Sequence, residues 1–346
     1  MHTNYPDVRQ MSEEGLKNFF SDQGEKAFRG KQVYEWLWKK GATSFDEMTN
    51  LSKQTRQLLK EHFTLSHLTV KSQQSSRDGT QKFALITSDG HIIESVLIPS
   101  GSRTTACISS QVGCQLACTF CATGKLPFKR NLTQSEIFDQ ILITWHKSLE
   151  LYNRQLSNIV FMGMGEPLFN YAEVAAVIDL IGSEKSLNIS PRRITLSTIG
   201  IPDEIIRMAD DQINFELAVS LHSARNKMRN QIVPINKKHD LASLKSALQY
   251  FNKQTGKRIT FEYLLLKGIN DTLSDAKALA AYCKNFPVKI NLIAYNHTGN
   301  NTFQKSDPEN LAQFKDFLET KNLVVNIRKS RGEDIDAACG QLSGKQ

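Results

Sequence analysis

The most specific chemistry in this chain is carried by three thiols in one short segment. Cys114-Gln-Leu-Ala-Cys118-Thr-Phe-Cys121 spaces them by four and then three residues. Three thiolates so placed can bind three irons of a cubane cluster and leave the fourth iron without a protein ligand. A structural zinc site wants four ligands, and no further Cys or His lies nearby at zinc-finger spacing. Cys107, seven residues upstream in a strand-like run, could in principle be that fourth ligand, or a small buried apolar residue. Cys339 stands far away in Asp336-Ala-Ala-Cys-Gly340, where small residues and a terminal glycine allow a mobile loop. Cys283, among Ala281, Tyr282 and Phe286, reads as core.

Other polar residues gather where strands are expected to end. Gly163-Met164-Gly165-Glu166-Pro167 is glycine-rich, but it lacks the Lys-Ser/Thr of a phosphate-binding loop and the third glycine of a dinucleotide fingerprint. Ser197-Thr198, Ser220-Leu221-His222 and Tyr295-Asn296-His297 close or follow later strands; each could also be an ordinary satisfied strand-end group. Glu94 interrupts the apolar run Ile92-Ile-Glu-Ser-Val-Leu-Ile98, which points it to the face opposite its neighbours.

Positioning these groups requires a large scaffold, and 346 residues provide one large domain plus an appendage. With 40% hydrophobic and 23% charged residues, the composition excludes a disordered or fibrous chain. No apolar run approaches the ~20 residues of a membrane helix. The polar stretch Met1 to Glu14 is not a signal peptide, so a cytoplasmic protein without a membrane partner is expected. The formal net charge of +8 suggests a polyanionic partner. In a reducing compartment the clustered thiols read as metal or redox chemistry.

Residues 1–68 read as a small helical module. Val33, Trp36 and Leu37 recur at helical spacing before Gly41, and Ser44 with Glu47 has capping-box spacing ahead of Leu51, Leu58, Leu59 and Phe63. Its Lys26, Arg29, Lys31, Lys39 and Lys40 form either a nucleic-acid contact or a solvated basic face. From 69 to 99 the period changes to two, with Asp78-Gly79 and Asp89-Gly90 as turns: an antiparallel meander joining two domains. From 100 to 346 strand, loop and helix alternate. Strands are expected at 104–109, 158–162, 193–197, 215–221, 259–265, 289–294 and 323–327, and helices at 134–149, 172–181, 241–251, 275–283 and 309–319. Such alternation makes a parallel sheet that curls into an open or closed β/α barrel. In that fold the site lies at the C-terminal ends of the strands, where all the motifs above fall. Lys125, Lys129, Arg130, Arg192, Arg193, Arg225, Lys227, Arg229, Lys329 and Arg331 lie beside the same loops, as an RNA-binding rim would.

Cys-x-x-x-Cys-x-x-Cys after the first strand of such a barrel resembles the signature of the radical S-adenosylmethionine (SAM) enzymes. Ser109-Ser-Gln-Val-Gly-Cys114, Phe161-Met-Gly-Met-Gly-Glu-Pro-Leu168, Ser220-Leu-His222 and Arg331-Gly-Glu-Asp-Ile-Asp-Ala-Ala-Cys-Gly340 resemble the RlmN/Cfr branch, over essentially the whole chain. The stretch Ala27-Phe-Arg-Gly-Lys-Gln-Val-Tyr-Glu-Trp-Leu-Trp favours the RlmN side over the Cfr side, whose members methylate adenine carbon 8.

The resemblance implies an α/β fold with a radical SAM partial (β/α)6-type barrel. It implies one 4Fe-4S cluster on Cys114, Cys118 and Cys121, and SAM bound by Gly165, Glu166, Ser197, Ser220, Leu221, His222 and Asn296, with two SAM consumed per turnover. The implied reaction is methylation of adenine carbon 2 in 23S rRNA, and in some relatives in tRNA beside the anticodon. Electrons would come from a donor such as flavodoxin. Cys339 would carry the methyl group as a thioether, Cys107 would resolve the protein–RNA adduct through a transient disulfide, and Glu94 would accept the ring proton. Carbon 2 of adenine is not a nucleophile, so radical chemistry from a cofactor is required.

Overall fold

The computed structural model describes residues 5–299 and 302–344; the first four residues of the polar N-terminal stretch lie outside them. Helices α1 (Glu13–Asp22), α2 (Phe28–Glu35) and α3 (Lys53–His62) form the N-terminal module. Ser52 starts α3 by accepting from Thr55 N at 3.0 Å, so the helix begins nine residues after Ser44 rather than at it. Ser44 and Glu47 instead bracket a short 3-10 turn. The last turn after α2 widens to a π-helix over Trp36–Lys40 and ends at Gly41, left-handed at φ +68°. Gly41 has to lack a side chain, because a Cβ there would fall 2.0 Å from Leu142 Cδ2.

That close approach seats the module on helix α4 (Gln134–Tyr152). Trp38 meets Phe138 edge-on at 5.1 Å, and the buried Arg9 guanidinium pairs with Asp139 at 2.6 Å. Asp139 also accepts from Leu68 N at 2.9 Å, at the junction of module and sheet.

Ten strands make one sheet. In chain order they are β1 (Thr69–Ser75), β2 (Gln81–Ile86), β3 (Ile92–Ser100), β4 (Arg103–Cys107), β7 (Asn158–Phe161), β8 (Ile194–Thr198), β9 (Glu216–Ser220), β10 (Ile259–Leu265), β11 (Val288–Ala294) and β12 (Val324–Arg328). The two-residue strands β5 (Gln111–Val112) and β6 (Arg130–Asn131) pair separately. Strands β1 to β4 are antiparallel neighbours, and β4, β7, β8, β9, β10, β11 and β12 run parallel. The meander is therefore continuous with the barrel sheet, since β3 pairs with β4 over Val96–Ser100.

Crossover helices cover the outside: α4, α5 (Tyr171–Gly182), α6 (Pro202–Asp210), α7 (Asn226–Ile232), α8 (Leu241–Thr255), α9 (Leu273–Tyr282) and α10 (Pro308–Glu319). Thr133 with Glu136 and Thr272 with Asp275 form reciprocal capping boxes on α4 and α9, which fix where both helices start. The helices expected from the sequence omit α6 and α7, although Ile205, Met208 and Ala209 give α6 an apolar face. Both are short, α6 opens on proline, and α7 is largely polar. No helix among the described residues is long and apolar enough to cross a membrane.

Candidate active site

Strand β4 ends at Cys107, and the chain enters the loop that carries the three spaced cysteines. Gly113 (φ +77°) lets this loop close, since a Cβ would meet Pro127 O at 2.1 Å. Cys118 is buried, Cys114 and Cys121 are half-buried, and all three face one cleft at the C-terminal ends of the strands. Burial is the main cause that pushes the Cys114 thiol up to about 12, and it raises Cys118 and Cys121 in the same direction. The backbone N–H groups of Leu116 on Cys114, and of Gly124 and Thr123 on Cys121, oppose this.

These residues fit an iron–sulfur cluster. The donors are soft sulfurs with N–H groups aimed at them, as thiolate ligands of such clusters require. Among the described residues no three Cys, His, Asp or Glu side chains are placed to hold a metal ion between them. Cys107 lines a neighbouring cavity rather than this cleft, and its sulfur accepts from Met162 N.

The loop after β7 approaches the cluster loop so closely that its glycines have no alternative. A Cβ on Gly163 would fall 2.6 Å from Ser109 Oγ, and one on Gly165 (φ +96°) 2.5 Å from Gln111 Cβ. Ser109 Oγ donates to Glu94 O at 2.6 Å and accepts from Met164 N at 2.8 Å, while Gln111 Oε1 accepts from Glu166 N at 2.8 Å. The segment Ser109–Gln111 thus ties the glycine loop to β3. Glu166 is buried, and its carboxylate accepts from Leu168 N at 3.0 Å and Ile199 N at 2.8 Å. Burial raises its pKa to about 7. Its side chain is a brace between two strand ends that also borders the cleft.

Ser197 and Ser220 line the cleft with their hydroxyls 3.5 Å apart. His222, left-handed at φ +56°, accepts at Nδ1 from Leu264 N at 3.1 Å, so its proton sits on Nε2. Burial lowers its pKa to about 3, and the neutral ring meets Phe120 of the cluster loop edge-on at 4.7 Å. Asn296 donates to Cys339 O at 3.2 Å, while its buried Oδ1 in the cleft wall has no hydrogen-bond partner among the described residues. That orphaned acceptor fits a bound polar ligand. The Leu221 side chain is fully buried in the core and does not border the cleft.

Cys339 borders both the cleft and the second cavity, which Cys107 also lines. The loop bearing Cys339 is tied down in this structure, contrary to the mobility its small residues suggest. Gly332 N donates to Asp78 Oδ2 at 3.0 Å, Asp334 accepts from Ser76 Oγ at 2.6 Å, and Ala122 N donates to Gly340 O at 2.7 Å. The tail beyond it is held by Glu94, whose Oε2 accepts from Ser343 N at 2.7 Å and Gly344 N at 2.9 Å. Glu94 is fully buried, with Lys82 Nζ 3.3 Å from Oε1, and it borders neither cavity.

Two cleft residues escape motif reading. Glu262 on β10 and Arg328 on β12 are charged side chains inside strands, 3.5 Å apart in the wall shared with Cys339. Ile259-Thr-Phe-Glu-Tyr-Leu-Leu265 does carry the signal, a carboxylate on the face that an apolar strand turns inward. Of the basic rim, Lys129, Arg192, Arg193, Lys227 and Lys329 are exposed. Arg229 is not part of it: it is fully buried, donating to Leu221 O and Ile199 O and to Asn236 Oδ1 at 2.7 Å. Arg130 is engaged with Asp89 and Glu136, and Arg225 with Asp275.

Comparison with known proteins agrees with this geometry. Residues 7–65 match the family described as ribosomal RNA large subunit methyltransferase N-terminal domain, and residues 108–280 match the radical SAM superfamily. Members of that superfamily use SAM and a 4Fe-4S cluster. The chain is 52% identical over 339 residues to a probable dual-specificity RNA methyltransferase RlmN of Christiangramia forsetii, covering 98% of this chain and 96% of the relative. A relative of the same description in Staphylococcus aureus is 42% identical over 331 residues, covering 96% and 91%. The crystal structure of a radical SAM methyltransferase from Sphaerobacter thermophilus superposes with a TM-score of 0.93 at 35% identity, covering 98% of this chain and 100% of that one. With a likeness in sequence and fold that runs from the helical module to the Cys339 loop, the chain belongs to the RlmN family of radical SAM methyltransferases.

Proposed function

We propose that the protein methylates carbon 2 of an adenine in 23S rRNA, and of the adenine beside the anticodon in tRNA, through a methyl thioether on Cys339. The observation that carries this reading is the position of Cys339 in the wall common to the cluster cleft and the cavity lined by Cys107. One 4Fe-4S cluster on Cys114, Cys118 and Cys121 would supply the electron that splits SAM and releases a 5′-deoxyadenosyl radical. Two SAM molecules are consumed, one as methyl donor and one as radical source.

The chain's own residues do the rest. Cys339 takes the methyl group and presents it at the cleft edge, where a hydrogen atom can be removed from it. Asn296, Ser197, Ser220 and His222 offer polar groups that hold SAM, and the loop 163–166 closes that pocket. The methylene carbon borne by Cys339 joins the adenine ring, the ring proton leaves to a base together with one electron that the oxidised cluster would take back, and Cys107 releases the product from the resulting closed-shell adduct by pairing with Cys339. The helical module and the exposed rim cations hold the RNA phosphates, and the target base must leave its stack to enter.

Glu94 has two readings, ring-proton acceptor or clamp on the tail at 343–344. Its two tail hydrogen bonds support the clamp. Glu94→Gln is expected to stall multiple turnover while 5′-deoxyadenosine still forms. Unimpaired multiple-turnover methylation would remove Glu94 from the mechanism.

The reading as a whole is tested by anaerobic reaction with labelled SAM on matched rRNA and tRNA fragments, followed by nucleoside analysis. Label in 2-methyladenosine is expected from both RNAs. Label in 8-methyladenosine instead would overturn it.

A further inference from the structure

Three polar residues on neighbouring parallel strands stand in one row inside the barrel. Glu262 on β10 is in register with Asn291 on β11, and Asn291 with Asn326 on β12. Their side chains are joined: Asn326 Nδ2 donates to Asn291 Oδ1 at 3.3 Å, and Asn291 Nδ2 donates to Glu262 Oε1 at 2.8 Å. Glu262 Oε2 faces the Arg328 guanidinium at 3.5 Å. Arg328 lies two residues beyond Asn326 and so on the same face of β12.

The same guanidinium nitrogen that faces Glu262 also leads toward Cys107. Arg328 Nη1 donates to Met162 Sδ at 3.4 Å, and Met162 N donates to the Cys107 sulfur. Arg328, Met162 and Cys339 all border both cavities. The reaction described above gives this cation nothing to do. Yet a resolving cysteine must react as thiolate, and burial pushes the Cys107 thiol up to about 12, with Cys339 adding to it. Arg328 is the charged group that works in the opposite direction.

We propose that Arg328, fixed by Glu262, is a positioning residue for the resolving step, holding the Cys107 sulfur as thiolate and turned toward Cys339. The inference rests on the methyl-cysteine reading above. In the step it serves, the Cys107 thiolate attacks the sulfur of Cys339 in the closed-shell adduct. The disulfide bond forms as the bond between that sulfur and the methylene carbon breaks. The electron pair of the broken bond passes to the methylene carbon, which takes a proton and becomes the methyl group. The two sulfurs are oxidised by two electrons and the carbon is reduced by the same two.

The test follows the ratio of covalent protein–RNA adduct to methylated adenosine in anaerobic reactions of the reconstituted holoenzyme with an rRNA fragment. Arg328→Gln should shift that ratio toward adduct by about tenfold, the effect of one unit in thiol pKa. Glu262→Gln, which leaves Arg328 in place but loosens its anchor, should shift it less, and Arg328→Lys should restore most of it. Cys107→Ala serves as the reference that traps the adduct. Absence of adduct in Cys107→Ala would overturn the methyl-cysteine reading itself. Adduct in Cys107→Ala together with wild-type ratios in both Arg328→Gln and Glu262→Gln would overturn the role of Arg328 alone. In RNA-free holoenzyme, oxidised glutathione should close the Cys107–Cys339 disulfide about tenfold more slowly in Arg328→Gln, followed by peptide mass spectrometry; an unchanged rate would also overturn the role.

Discussion

Cys118→Ala should give a folded protein that takes up no stable 4Fe-4S cluster and forms no 5′-deoxyadenosine. Cys118 is the most buried of the three clustered cysteines, and burial raises its thiol well above its ordinary value. Burial disfavours its free thiolate, which a bound metal would stabilise by displacing the proton. Removing it leaves two anchors for a cluster that already lacks a fourth. The loop's shape depends little on that sulfur: the Cys121 N to Cys118 O turn at 3.2 Å and Gly113's tight approach to Pro127 both involve backbone. Far-ultraviolet circular dichroism should be unchanged, the brown absorption after anaerobic reconstitution should be lost, and SAM cleavage should fall by about three orders of magnitude or more. A brown variant that still makes 5′-deoxyadenosine would remove Cys118 from the metal site.

Cys339→Ala should retain the cluster and lose RNA methylation by a comparable factor. Cys339 is exposed, so its removal leaves no cavity in the core. Its neighbours keep the loop in place without it, through Ala338 N to Gln341 Oε1 at 3.0 Å and Ala122 N to Gly340 O at 2.7 Å. The expected loss is therefore chemical rather than structural. Nucleoside mass spectrometry of the RNA and intact mass of the protein check it together: the wild type should carry a methyl group on a cysteine and the variant should not. Methylation at the wild-type rate in the variant would point to direct use of SAM without a protein-bound methyl.

Much of this site was legible in the residues. The Cys114–Cys121 spacing, the glycine loop after β7 and the polar groups ending β8 and β9 are local features, and local features are what a sequence displays. The strand Ile259–Leu265 has the bounds its alternation predicts. What escaped depends on contacts between distant segments. Leu221 belongs to the same tripeptide as Ser220 and His222, but the pleat turns it into the core. Arg229 looks like a rim cation and is consumed by carbonyls at 199 and 221. The row Glu262–Asn291–Asn326 exists only through parallel register, which links residues dozens of positions apart. The clamp of Glu94 on residues 343 and 344 joins points about 250 positions apart.

The isotope content of the product decides whether the methyl group travels through Cys339 and a carbon radical. With SAM carrying a trideuterated methyl group, anaerobic turnover on the rRNA fragment should yield 2-methyladenosine with two deuteriums and 5′-deoxyadenosine with one. A product that keeps all three deuteriums, or 5′-deoxyadenosine that carries none from the methyl group, would contradict hydrogen removal from a methyl held on Cys339.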